Sequence, residues 1–347
     1  MRTINLVLLF ISLYCFPAQA QNQEALFEKS LLTLNDMLLN EHKYSFKKAV
    51  FSVENAYLNG KLDTLAVNNQ IRVLTNLSKS LIQDRFLAYV ENDKEDVNKW
   101  ASAYQVMCDS IPVVIQDKLY QYTPFQYDFN DVFGNEEYSN MFVSKLLETR
   151  KGNCHSLPYL YKILCEELGT TAHLALAPNH IYIKHQSKKH GWYNTELTSG
   201  IFPNDAWLMA SGFIHVDAIK NGVYMKALNN KESIAVVMMD LANAYQRIFP
   251  ENDGAFLMKC AQAAIAAYPN FATALILRAE LHKKEVEQQT DAKTAAKRFE
   301  ALEKEYGHIH LLGYRHMPEG MYLNWLVSLK TERDKYENKK LSNFNKN

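Results

Sequence analysis

Apolar residues recur at intervals of three and four along the first hundred positions. Leu26, Leu31, Leu32, Leu34, Leu38 and Leu39 form one such series, and Ile71, Leu74, Leu77 and Leu81 form another. Gly60 is the only glycine between Glu24 and Val106, so this spacing predicts amphipathic helices over 21–106. The texture changes over 107–232, where prolines and glycines return and short alternating runs appear beside one helical stripe. That mixture predicts an antiparallel sheet with a helix packed on it. From about Ser233 the helical spacing resumes over 233–330, giving an α+β fold class overall. The last stretch, 331–347, is almost wholly polar and is expected to fray.

Both ends of the chain carry further signals. Leu241–Tyr245, then Ala261–Tyr268 closed by Pro269, place small residues at close-packing positions and a proline at a junction. This resembles a tetratricopeptide repeat, with a second, degenerate copy at about 271–306; an ordinary helical hairpin is the alternative. At the start, Arg2, an apolar run of 11 residues from Leu6 to Phe16, and Ala18-Gln19-Ala20 have the layout of an export signal at 1–20. Tyr14 is too bulky for Cys15 to be a lipoprotein anchor. Cleavage after Ala20 would place the chain in a periplasmic or secreted compartment. Loss of Arg2 turns 38 basic against 38 acidic residues into 37 against 38. Such a balance argues against nucleic acid or an anionic membrane as partner. No later run approaches the roughly 18 apolar residues of a membrane helix.

Cys108, Cys154, Cys165 and Cys260 are scattered, without a C-x-x-C pair, which points away from a disulfide scaffold and from zinc. Cys154 lies in Arg150-Lys151-Gly152-Asn153-Cys154-His155-Ser156-Leu157-Pro158. A stripe of Leu160, Tyr161, Leu164, Cys165 and Leu168 follows, stopped by Gly169. Cys154 therefore sits at a helix start, where free N–H groups favour a thiolate and can receive an oxyanion. Cys165 lies about 16 Å further along the axis, inside the stripe, and reads as core.

Thr171–Ala177, His180–His185 and Gly191–Leu197 read as three strands. A hairpin centred on Lys188 pairs His180 with Glu196, Tyr182 with Asn194 and Lys184 with Trp192. Opposed Cβ atoms lie about 5 Å apart, close enough for a carboxylate to fix the imidazole tautomer. The other ring nitrogen is then left to take the cysteine proton. His155 is expected to face solvent. Asp205 and Asp217 are runner-up acids, and Asn140 and Asn153 are candidate oxyanion donors. Trp192 and Trp207 read as core more readily than as cleft walls. His180, His185 and His190 are poorly placed to share a metal, and His308, His310 and His316 lack a completing ligand. No cofactor is called for.

The run Gly-Asn-Cys-x-Ser-x-Pro-x-Leu-Tyr, with Pro-Asn-His-Ile-Tyr-Ile and Asn-Thr-Glu-Leu-Thr after it, resembles the transglutaminase-like superfamily. The layout, with helices before the core and tetratricopeptide-like helices after it, is similar to the SirB-type group. The likeness spans about Tyr138 to Tyr268 and takes in Asp217–Tyr224. It implies a transglutaminase/papain-like core with Cys154 as nucleophile, His180 as base and Glu196 as acid. The activity implied is amide hydrolysis or acyl transfer on a peptide or protein through a thioester at Cys154. Many members have Asp where this chain has Glu196. SirB-type members often lack the cysteine, so the alternative is a catalytically inactive scaffold. It would bind a protein or peptide partner through the core cleft and the helical tail.

Overall fold

The structure is a computed structural model that describes residues 4–332 and 344–346. It is α+β, as the alternation of patterns predicts. Helices α1 (Ile4–Leu39), α2 (Phe46–Tyr57) and α3 (Thr64–Asp84) are followed by a short strand β1 (Arg85–Leu87) and helix α4 (Lys94–Cys108). The stretch read as an export signal falls in the first half of α1, whose side chains are described only from Asn22 onward. Among the described residues no helix is long and apolar enough to cross a membrane.

The middle of the chain opens with the hairpin β2 (Ile111–Ile115) and β3 (Lys118–Tyr122), then β4 (Gln126–Tyr127), α5 (Val143–Thr149) and β5 (Lys151–Gly152). Helix α6 (Ser156–Glu167) follows, with β6 (His173–Ala177), β7 (His180–Ser187) and β8 (Gly191–Thr195) after it. These three strands form one antiparallel sheet in the order β6-β7-β8. Short helices α7 (Asp205–Ser211) and α8 (Val216–Lys220) lead to α9 (Asn230–Ile248), α10 (Ala255–Ala267), α11 (Ala272–Glu287), α12 (Ala292–Leu311) and α13 (Glu319–Glu332). A reciprocal pair of bonds between Asn229 and Glu232 caps the start of α9. Consecutive helices pack in turn from α9 to α12, in keeping with the helical pairs read from the sequence.

Three expectations need correction. Helix α6 was read as having one apolar face, yet every residue from Ser156 to Cys165 is buried, Lys162 included. The cause is the N-terminal helices: α2, α3, α4 and α5 all pack around α6, while β6 and β7 lie against it as well. The 331–347 segment does not fray throughout, because Phe344–Lys346 forms strand β9 against β1; residues 333–343 and 347 lie outside the described residues. The β7–β8 hairpin is centred on Lys189 rather than Lys188, since Ser187 pairs with Gly191 and Lys184 with Asn194. Gly191, at φ 66, supplies the left-handed residue that a three-residue loop requires.

Two carboxylates, Glu54 buried and Glu166 partly buried, dock the N-terminal helices to the core. Glu166 of α6 accepts from Phe46 N (3.1 Å) and Lys47 N (2.9 Å) at the start of α2. Glu54 of α2 accepts from Val143 N (2.7 Å) and Ser144 N (3.0 Å) at the start of α5. A carboxylate at a helix N-terminus satisfies orphan amides and complements the dipole. Glu54→Ala leaves two inward amides unpaired, and a loss of about 3 kcal/mol in urea unfolding is expected from penalties of roughly 1–3 kcal/mol per group. A loss below about 0.5 kcal/mol would show that water replaces the carboxylate at no cost.

Candidate active site

The turn before α6 is built around Gly152 and Asn153. Asn153 is fully buried; its Oδ1 accepts from His155 N (3.0 Å) and Ser156 N (3.2 Å), and its carbonyl accepts from Leu157 N (3.1 Å). Asn153 thus caps the helix, with Ser156 Oγ accepting from Asn153 N in return (3.1 Å). A Cβ on Gly152 would stand 2.4 Å from Ser156 Oγ and 2.8 Å from a Leu146 methyl, so only glycine fits there. At the far end of α6, Gly169 at φ 68 closes a Schellman turn through Thr170 N to Cys165 O (2.9 Å) and Gly169 N to Glu166 O (3.0 Å).

Cys154, His180 and Glu196 come together at this turn. His180 Nε2 meets Glu196 Oε2 at 2.6 Å, and both side chains are almost fully enclosed. Glu196 Oε1 accepts from Thr198 N (2.7 Å), and an isolated bridge between Glu196 and Ile201 holds the loop that carries it. The observed register places Tyr182, not His180, opposite Glu196 by continuation of the β8 ladder. Glu196 therefore reaches His180 along the diagonal, where partners are about 7–8 Å apart at the backbone. The longer Glu side chain suits that span. The two-residue shift leaves side-chain parity unchanged, so acid and imidazole still meet.

His180 stands directly after the Pro178-Asn179 turn, where Asn179 at φ 55 takes the left-handed position that asparagine tolerates. Cys154 Sγ lies 3.7 Å from the Asn179 carbonyl oxygen. On the remaining side lies a residue that sequence reasoning did not single out. Tyr322 of α13 donates its hydroxyl to Cys154 Sγ (3.0 Å) and stands 3.1 Å from His180 Nδ1. Its ring is completely buried, and Trp325 of the same helix packs edge-on against the His180 ring at 4.8 Å. The only advance signal was a lone tyrosine far from the motif in sequence, which no local pattern distinguishes.

The electrostatics are those of an ion pair. Burial pushes the Cys154 thiol up, but the His180 hydrogen bond and charge outweigh it, and the net shift is downward. For His180, burial opposes the charge, yet Glu196 and Cys154 push its pKa up to about 10. Burial likewise works against an ionised Glu196, and His180 reverses it to a net lowering. Tyr322 is raised well above the usual phenol range by burial and by the neighbouring thiolate, so its hydroxyl stays a donor. Cys165 behaves as a core thiol, fully buried and pushed up to about 12.

A second phenol approaches from the other side. The parallel ladder Gln126–Lys151 and Tyr127–Gly152 delivers Tyr127 to the turn beside Cys154. Its buried hydroxyl lacks hydrogen-bond geometry to any described group, although it is near enough for Cys154 to push its pKa up further once burial has raised it.

Other candidates fall elsewhere. His155 does not face solvent: it is buried, its Nδ1 lies 2.9 Å from Met141 O, and its Nε2 lies 2.8 Å from Asp240 Oδ1 on α9. Burial acts against its charge, and Asp240 overrides that to raise its pKa. Asp240 also accepts from Tyr159 (2.7 Å), tying α9 to the start of α6. Asn140 is held by Asp131 and Lys145, and Asn153 Nδ2 donates to Val132 O (3.2 Å) and Met141 Sδ (2.8 Å), so neither is an oxyanion donor. The cap also takes the His155 and Ser156 amides, leaving the Cys154 N–H as the backbone donor of this turn outside the cap. Asp205 binds Lys184 (3.1 Å) and Asn194 (2.7 Å), while Asp217 pairs with His215 near the surface. His185 stacks under Trp100 at 4.5 Å and meets Tyr161, well apart from the partners of His180. Trp192 is 45% exposed and lines a separate cleft with Tyr193 and Phe202.

No family model and no curated protein matches the chain. Among solved structures it is similar to menin, in a crystal structure that reveals the binding site for Mixed Lineage Leukemia (MLL) protein. The identity is 14% over 89% of this chain and 67% of that chain, with a TM-score of 0.43.

Proposed function

We propose that the chain is an exported thiol enzyme of transglutaminase-like type, an amide hydrolase or acyl transferase with Cys154, His180 and Glu196 in the roles of nucleophile, base and orienting acid. The observation that carries the reading is the Glu196–His180 contact at 2.6 Å beside a cysteine whose pKa is lowered despite burial. A structural cysteine buried away from an imidazole is raised, as Cys165 is despite Lys162 and Tyr161 beside it.

In the proposed reaction the Cys154 thiolate attacks the carbonyl carbon of an amide and forms the C–S bond. The oxyanion is met by the Cys154 N–H and a neighbouring phenol, Tyr127 or Tyr322. As the tetrahedral state collapses the C–N bond breaks, and the His180 imidazolium gives its proton to the leaving amine. Water, or a second amine, then attacks the thioester with neutral His180 as base, and Sγ leaves as thiolate. Glu196 stays ionised throughout and fixes the tautomer by holding Nε2, so that Nδ1 faces the sulfur.

The test is intermediate trapping. Incubation with a peptide mixture should add an acyl mass to the Cys154 peptide, removable by hydroxylamine and absent in Cys154→Ala. No such adduct, even under rapid acid quench, argues for the second reading, a binding scaffold of the same core. One observation favours that reading: the thiol residue is only 7% exposed and Tyr322 fills the space over it.

A further inference from the structure

Beyond Tyr127 the site has a wall that the thiol chemistry leaves unused. Beside Tyr127 runs an open groove of about 560 Å³, bounded by the segment after α4, by Phe125, Tyr127 and Phe129, and by the loop Leu197–Gly200. That loop is the one that carries the acid, since Thr198 N holds Glu196 Oε1 and the Glu196–Ile201 bridge closes it. The opposite wall is the residue that reaches the thiol. The groove therefore adjoins the proposed active site, with Tyr127 and the loop after Glu196 shared between them.

Two buried hydroxyls in its lining lack a well-formed hydrogen bond among the described residues. Tyr127 is 9% exposed and its phenol lies close to Cys154 and Tyr322 without good hydrogen-bond geometry to either, while Ser199 is 5% exposed with its Oγ unbonded among the described residues. Buried polar groups are nearly always paired, and an unpaired one marks a place where another group belongs. The backbone adds to this. Gln126 N bonds Arg150 O and Asp128 N bonds Gly152 O, so the alternation of a strand turns the amide and carbonyl of Tyr127 to the opposite edge. At that same edge Phe125 N reaches back to Met107 O at the end of α4, next to the groove. Between these polar groups the lining is apolar: Phe125 and Leu197 are buried, and Phe129, 41% exposed, lies against the Tyr127 ring at 4.7 Å between centroids.

We propose that this groove is the substrate subsite of the thiol site, taking an extended peptide segment that carries an apolar side chain. Tyr127 and Ser199 bind its main chain, and Phe125, Phe129 and Leu197 accept the side chain. Main-chain hydrogen bonds along a strand edge with pockets for alternate side chains are a general mode of peptide capture. The phenol of Tyr127 both lines the groove and lies at the sulfur, so a peptide bound there is presented to Cys154. The proposal rests on the thiol-enzyme reading above.

The test uses the full chain and three alkylating probes: chloroacetamide, which has no peptide, and N-acetyl tripeptide chloromethyl ketones with Phe or Asp at the same position. Each peptide rate is divided by the chloroacetamide rate of the same variant. The Phe peptide is expected to exceed the Asp peptide by about tenfold or more, as an apolar pocket discriminates on the scale of roughly 10–200-fold. Phe129→Arg, at a half-exposed position that tolerates a charge, should reduce or invert that ratio. Ser199→Ala should weaken saturation by both peptides alike. Equal rates for the two peptides in the unaltered chain, or a preference that survives Phe129→Arg, overturns the subsite. A thiol inert to chloroacetamide as well removes the enzyme reading and the subsite together.

Discussion

His180→Ala is expected to slow alkylation of Cys154 by iodoacetamide at pH 7 by roughly 30- to 100-fold. The estimate follows from the balance at the sulfur. Burial alone drives the thiol upward, and His180 supplies the largest opposing contribution, through a hydrogen bond and a charge. An ordinary thiol of pKa ~8.5 is a few per cent ionised at pH 7, so a fully ionised one carries about 30-fold more thiolate. Removal of His180 leaves burial opposed only by Tyr322 and His155, and the pKa should pass above the ordinary value. The sign is clear in a pH profile. In the unaltered chain the rate should hold as pH falls below the thiol's ordinary value and drop only at the lowered pKa. In His180→Ala the midpoint should move to higher pH, with about tenfold lost per unit below it. Glu196→Gln should move it less, since an acceptor for Nε2 remains while its charge is gone. Cys165 is the internal control and should stay unlabelled until the protein unfolds, being buried and pushed up to about 12. Identical midpoints in the unaltered chain and His180→Ala, located on Cys154 by mass spectrometry, would sink the ion pair.

How far the sequence goes is clearest at the hairpin. The alternation of His180–His185 and Gly191–Leu197 was enough to bring His180 and Glu196 to the same side, because parity survives any even shift of register. It was not enough to set the pairing, because the turn is set by which residue adopts the left-handed position. Gly191 takes it, and so moves the centre to Lys189. The helix start at Cys154 was legible for a related reason: a glycine, a capping asparagine and an apolar stripe all act locally. His155 was misread because its partner, Asp240, is 85 residues away on another helix. Nothing local in the N-terminal helices points to the thiol either. Only their packing around α6 shows that they enclose the helix that presents the thiol. Tyr322, 168 residues from Cys154, is the extreme case, and nothing in local spacing could have paired them.

Tyr322 carries the second large effect. In this structure its ring fills the space over Cys154, between Phe133 at 5.4 Å, Trp325 at 5.8 Å and His180 at 6.1 Å. A substrate carbonyl must come within about 3–3.5 Å of Sγ, in the region the hydroxyl now occupies, so α13 has to yield or the substrate has to enter past Tyr127. Tyr322→Ala is expected to raise labelling of Cys154 by a bulky maleimide by about tenfold or more. Deleting a buried aromatic ring costs roughly 3–5 kcal/mol, and 1.4 kcal/mol of that expressed as weaker docking of α13 already opens the site tenfold more often. Tyr322→Phe keeps the ring and removes only the hydroxyl. It should leave bulky labelling low, while the lost hydrogen bond to sulfur raises the thiol pKa and slows iodoacetamide a few-fold near neutral pH. The two variants thus separate closure from electrostatics in one pair of reagents. If Tyr322→Ala leaves the maleimide rate unchanged, α13 is not the barrier, and the groove at Tyr127 is the remaining route to the thiol.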